Sequence, residues 1–228
     1  MSDPKPTTLE VLVRTPCVVG TDPVNTHGAD IDTVLDANGI PYIPKNRMSA
    51  RLRDAALTVL SGPGGGPVAL ASATALFGDA YSARGTARLL SVGAAAWPTA
   101  ATAHVDATLT KLHGRFQQHG LAPVAMVRRE ITRGLTVEIG QTAIAANGAP
   151  LTGSLRFARG IRPGVLLRAP LRWREDPSVD DLRFLAQCVL ALRQVGHGAS
   201  DHRGQVSCNL DGDFDKTVAL AFPHKDQR

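Results

Sequence analysis

The chain has 228 residues, 43% apolar and 20% charged, which marks it as globular rather than disordered and allows a sizeable core without disulfides. Its 25 cations, 20 of them arginine, exceed 20 acids to give a net charge of +5, so a polyanionic partner is indicated. Cys17, Cys188 and Cys208 are widely spaced and form no Cys-x-x-Cys, and neither a signal region nor a membrane-length apolar run is present; the chain reads as a soluble cytoplasmic protein with no disulfide framework or zinc site.

Leu9, Val11 and Val13 alternate over residues 7–13, which predicts a strand. Residues 17–20 continue it briefly. The stretch from Thr21 to Asn38 reads as a long loop carrying Asp30, Asp32 and Asp36, and loops of that length are usually functional. Asn38-Gly39 is a turn signal. Pro41 and Pro44 fix their own φ and extend the residues before them, so Tyr42 and Ile43 can plug a core. Met48, Leu52, Ala56 and Val59 then recur at helical spacing over 46–60, with Asn46 as the predicted N-cap. Lys45, Arg47, Arg51 and Arg53 load the start of that helix with cations, where free backbone N–H groups already favour anions.

The run Gly39-Ile40-Pro41-Tyr42-Ile43-Pro44 with Leu52-Arg53 resembles the RAMP superfamily, the backbone proteins of type III CRISPR–Cas effector complexes of Csm and Cmr type. The family pattern is G-x-P-Y-I-P-G-S-S-x-K-G-x-x-R. Here Lys45-Asn46-Arg47 replaces Gly-Ser-Ser, Ser49 stands at the usual lysine and Ala50 at the usual glycine. The resemblance implies that this stretch contacts guide RNA, through Lys45, Asn46, Arg47, Ser49, Arg51 and Arg53.

Residues 62–67 form a glycine–proline break; no Gly-Lys-Ser/Thr follows, so it is no phosphate loop. Leu76-Phe77-Gly78 is similar to a short family motif that precedes a strand, here near 86–92. Val105, Leu109, Leu112 and Phe116 mark a second helix from Thr102 to before Gly120. Residues 128–174 hold nine arginines against Glu130 and Glu138, with strand-like alternation at Leu135, Val137 and Ile139 and again from Val165 to Trp173. Asn147-Gly148 is a hairpin signal between them. Thr132-Arg133-Gly134 through Thr152-Gly153-Ser154-Leu155 resembles the family's thumb, so 128–158 is expected to be a protruding hairpin insertion that wedges between bases, with Arg128, Arg129 and Arg133 on RNA.

Ser178 with Asp181 predicts a capped third helix, its buried stripe Leu182, Leu185, Val189 and Leu192, ending at Gly196. Residues 195–206 resemble the family's glycine-rich RNA loop, which implies RNA contacts at Gly196, His197, Gly198, His202 and Arg203. Val206, Cys208 and Leu210, then Val218, Leu220 and Phe222, read as the last strands. Asp211, Asp213 and Asp215 start like a calcium loop, but Lys216 and Phe222 occupy its glycine and glutamate positions. The order strand, helix, strands, helix, strand is that of a single α+β domain with a ferredoxin-like (RRM-like) core and insertions, including the thumb.

The resemblance also implies a chemistry. One aspartate of the acidic loop at 17–38 would drive metal-dependent cleavage of target RNA, in which the 2′-hydroxyl attacks the adjacent phosphate. Asp30 is the expected catalytic residue and ligand of a Mg2+ or Mn2+ ion, with Asp32 and Asp36 as alternates. The expected partners are CRISPR guide RNA, complementary target RNA, other effector subunits and head-to-tail copies of the chain, with no membrane. The alternatives are a non-cleaving structural subunit of the same architecture, and a superfamily RNA-processing endonuclease for which only His27 stands in the N-terminal loop.

Overall fold

The alternation at the start of the chain builds the central strand of the fold: Leu9, Val11 and Val13 are fully buried on one face. The computed structural model describes residues 5–21, 31–78, 88–116, 122–142, 154–196 and 202–223. In chain order its elements are β1 (Thr8–Val13), β2 (Gly20–Thr21), β3 (Asp32–Thr33), α1 (Lys45–Ser61), α2 (Pro67–Phe77), β4 (Leu90–Val92), α3 (Thr99–Phe116), α4 (Ala122–Leu135), β5 (Thr136–Gln141), β6 (Arg156–Ile161), β7 (Leu166–Trp173), α5 (Val179–Ala191), β8 (Val206–Leu210) and α6 (Phe214–Ala221).

The main sheet runs β4-β7-β1-β8, every neighbour antiparallel. With α1 after β1 and α5 after β7, this is the expected ferredoxin-like arrangement of an α+β chain. Inward-facing Leu9, Val11, Leu167, Ala169 and Cys208 meet Met48 and Leu52 of α1 and Leu185 and Val189 of α5 in one core. On the opposite face Glu10, 7% exposed, is neutralised by Arg168 at 2.6 Å. Burial pushes the thiols of Cys17 and Cys208 up to about 12, and that of Cys188 upward as well, so all three behave as small apolar side chains.

Leu52 is wholly buried in that core. Leu52→Ala is expected to cost roughly 2–5 kcal/mol of stability. Arg51→Ala removes a hydrogen bond to the Gly196 carbonyl at 3.0 Å and is expected to cost only about 1 kcal/mol. Circular-dichroism melting checks the contrast; equal collapse of the two variants refutes it.

Several expectations are corrected. Asn46 does not cap α1: Pro44 takes the N-cap position, no side chain caps it, and the Asn46 Oδ1 accepts from Arg47 N–H within the helix. Residues 67–77 are a helix, α2, opened by Pro67 at its first position. Residues 122–135 are also helical, so the segment begun at 128 is a helix followed by two paired strands, and the turn expected at Asn147-Gly148 lies outside the described residues. The third helix has the expected capping box, Ser178 Oγ accepting from Asp181 N–H, and the expected buried stripe. It stops at Ala191 with Leu192 as C-cap, short of Gly196. Residues 214–221 are helix α6, not a strand, because the Asp213 side chain accepts from Lys216 N–H and nucleates the turn. Asp211 accepts from the Thr7 and Thr8 N–H groups, which gives the aspartate run a structural use.

Candidate nucleic-acid interface

The second half of the acidic loop is not free. Residues 31–33 are stitched to the insertion hairpin: Ile31 N–H donates to the Phe157 carbonyl at 3.2 Å, and Arg159 N–H to the Ile31 carbonyl at 2.8 Å. Cys17 and Ile161 exchange two further backbone bonds. The turn at Asn38-Gly39 docks on helices α3 and α4. Gly39 has φ +80°, and a Cβ there would lie 2.5 Å from Thr132 Oγ1 on α4. The Thr132 hydroxyl donates to the Gly39 carbonyl, and the Asn38 amide to Asp106 on α3.

This docking fixes the carboxylates. Asp32 receives the Arg159 guanidinium at 3.2 Å, and Arg159, 5% exposed, also reaches Glu138 at 3.4 Å. Asp36 accepts from the N–H groups of Asn38 and Ile40 and so shapes the turn. Asp30, the expected catalytic residue and metal ligand, lies outside the described residues, as does His27. Among the described residues no three His, Cys, Asp or Glu side chains gather as a metal cluster. The described members of the acidic loop are therefore committed to protein partners and do not by themselves fit a divalent cation.

Beside Asp32 opens a cleft of about 570 Å³ at the foot of the hairpin, into which Arg129, Arg133, Arg159 and Arg162 converge with Glu138 as its acid. Arg162 is spent on the α4–β5 junction, donating to the carbonyls of Arg133 at the end of α4 and of Thr136 at the start of β5, at 2.9 and 3.0 Å. Arg133 pairs with Glu130 on an exposed helix face, a weak and screened contact. Arg128 and Arg129 are exposed and make no ion pair among the described residues. Sequence reasoning selected Arg128, Arg129 and Arg133 but passed over Arg159 and Arg162, which the same basic run contains.

The α1 cations disperse. Lys45 and Asn46 are exposed at the uncapped helix start, Ser49 is half-buried, and Arg47 turns to the Gly20 carbonyl. Arg51 bridges Asp54 and the Gly196 carbonyl. Arg53 reaches the Phe77 carbonyl at 3.5 Å; burial, then the like charge of Arg88, lowers its guanidinium from the ordinary value. In the glycine-rich loop, His197 and Gly198 lie outside the described residues, His202 is exposed with φ 55°, and Arg203 is half-buried. Gly196 is required by packing: its φ is +85° and a Cβ would lie 2.5 Å from the Val18 carbonyl. Gly204 leaves even less room, with 1.9 Å to the Val195 carbonyl.

Among the described residues no helix is long and apolar enough to cross a membrane. No protein-family model and no curated protein matches the sequence. Solved structures do match. A chain of the type III-B Cmr-beta complex in its apo state is 11% identical with a TM-score of 0.65, over 91% of this chain and 98% of that one. The chain therefore has the α+β fold of a type III-B CRISPR effector subunit: a chain of Cmr-beta bound to cognate target RNA aligns with 94% of it over that subunit's whole length, at 11% identity and a TM-score of 0.63.

Proposed function

We propose that this chain is a guide-RNA-binding backbone subunit of a type III CRISPR effector complex, stacked head to tail with its own copies and beside other effector subunits. The observation that carries the reading is the arginine cleft at the foot of the hairpin, with residue 31 of the acidic segment hydrogen-bonded to the same hairpin, in a fold shared with a subunit of an RNA-bound complex. Guanidinium groups bind phosphate through planar paired donors, so the cleft suits a phosphodiester backbone. The low aromatic content, 4%, leaves little for base stacking on the sheet, and recognition by charge and shape follows.

The same reading gives the complex a target-RNA endonuclease activity at the acidic loop. Asp30 is the proposed catalytic carboxylate, and a Mg2+ or Mn2+ ion held there would neutralise charge at the scissile phosphate. A second reading, a purely structural subunit, is favoured by one observation: Asp32 and Asp36 are already taken by Arg159 and by turn amides.

RNA binding is tested on the purified full-length chain with labelled single-stranded RNA across a salt series. If Arg128, Arg129 and Arg133 each neutralise one phosphate, their part of the slope of log K against log salt is about −2, and a fourfold rise in salt costs about 20-fold in affinity through them alone. Arg128→Ala/Arg129→Ala/Arg133→Ala is expected to flatten the slope by that amount. A flat response in the unmodified chain overturns the proposal.

A further inference from the structure

The outer side of α5 carries an apolar groove. A depression of about 360 Å³ lies between α5, α6 and the end of β8, floored by Val179, Leu182, Leu210, Leu220 and Pro223. Arg183 lines it and also lines a second depression, of about 190 Å³, between α5 and α2 beside Val68 and Ala69. We propose that the two form one docking groove for a short segment of a partner protein, with an apolar side chain on each side of a single carboxylate. The inference stands apart from the RNA-binding reading.

Charge complementarity carries the choice of occupant. Arg183 stands where the two depressions meet, and its only ionic contact is Asp180 at 3.1 Å, an exposed pair of the weak, screened kind. Its Nε is buried and has no acceptor. A donor left in that state costs free energy that an incoming carboxylate would recover. Lys216 stands on the opposite wall, and its ammonium has no partner among the described residues. Asp211 lines the groove too, but it is occupied by the Thr7 and Thr8 N–H groups. One anion therefore fits. A phosphate chain does not, because Asp180 and Asp211 line the two depressions and Asp213 and Asp215 open α6 beside them.

Exposure and rigidity point the same way. The core uses the inner stripe of α5, Leu185 and Val189, whereas Val179 is 67% exposed and Phe222, next to Pro223, is 62% exposed. The groove walls are tied together without a ligand. The Thr217 hydroxyl accepts from Leu210 N–H at 2.9 Å and donates to the Asp213 carbonyl at 2.6 Å, and the Gln187 amide donates to the Ala221 carbonyl at 3.1 Å. A preformed groove lowers the ordering cost of binding. It also lies at the opposite end of β1 from the arginine cleft: Leu210 pairs with Leu9, whereas Val13 bonds to Val165 and Gly164 near the hairpin foot. Its occupant and RNA need not compete.

The test pans a random-peptide phage library on the immobilised full-length chain. Enrichment of sequences with an Asp or Glu between two large apolar residues is expected. Labelled synthetic copies are then titrated by fluorescence anisotropy. Val179→Glu and Arg183→Ala/Lys216→Ala are each expected to weaken the peptide about tenfold and to melt like the unmodified chain. Exchanging the peptide's acid for its amide is expected to cost about the same and to add nothing in Arg183→Ala/Lys216→Ala. Saturating single-stranded RNA is expected to leave the peptide bound. No enrichment, or enriched peptides indifferent to both variants, overturns the proposal. Displacement by RNA overturns it by giving the groove to nucleic acid, and self-association abolished by Val179→Glu overturns it by giving the groove to a second copy. Failure of the chain to bind RNA would leave the peptide result unaffected.

Discussion

Asp32→Ala is expected to destabilise the protein by about 3–5 kcal/mol, because it strands a buried guanidinium. The Arg159 side chain is 7% exposed and that of Asp32 15%, and the remaining partner, Glu138, is 65% exposed. A screened surface carboxylate returns little of what is lost. Replacing both partners by apolar residues, Asp32→Leu/Arg159→Met, is expected to recover most of the loss, since neither charge is then left buried. Chemical unfolding of the two single variants and the pair gives the coupling directly. Additive losses would mean that the contact carries no weight in the fold.

That result bears on how cleavage data are read. Asp30→Ala is expected to lower target-RNA cleavage by the assembled, guide-loaded complex by about 10²–10⁴-fold, the range for a lost general base, while guide and target binding stay intact. Removing a negative charge near phosphates cannot weaken their binding by charge alone. Asp36→Ala is expected to cost less, through slackening of the Asn38–Ile40 turn. The assay is single-turnover cleavage with Mg2+ or Mn2+, beside a gel shift. Loss in Asp32→Ala with a normal melting profile, and full rates in Asp30→Ala, would move the assignment by two residues. Cleavage retained in all three variants, or absent from the unmodified complex, would favour the structural subunit.

The core strands were legible because one face of each is apolar and buried: β7 and β8 alternate cleanly, and β1 does so in its sequence although Glu10 on its other face is also buried. The third helix was legible because its capping box is local, Ser178 and Asp181 lying three residues apart. Helix α2 was hidden by its composition. Pro67–Phe77 is rich in alanine and buries only Ser72 and Leu76, so no apolar stripe marks its period. Helix α6 was misread because Val218, Leu220 and Phe222 fall at strand spacing, while its buried positions are Thr217 and Ala221. At the site, the basic run and the acidic loop were each visible, but their junction was not. Arg159 and Asp32 are 127 residues apart in sequence and meet only because β6 pairs with Ile31. The same pairing explains why Arg159 looked like any other arginine of its run.

The stitching of residues 31–33 to β6 also ties two stabilities together. The β5–β6 ribbon is a sheet of its own, separate from the four-stranded one, and isolated two-stranded ribbons are only marginally stable. Here Cys17 and Ile31 lend it additional edge bonds, while the buried Asp32–Arg159 pair locks the seam from the side-chain layer. Opening the ribbon must therefore release the end of the acidic segment as well, and any polyanion that clamps the ribbon raises the energy of that release by its own binding free energy. Occupation of the cleft and order in the carboxylate strand are then two readings of one local equilibrium, and the main sheet need take no part in it.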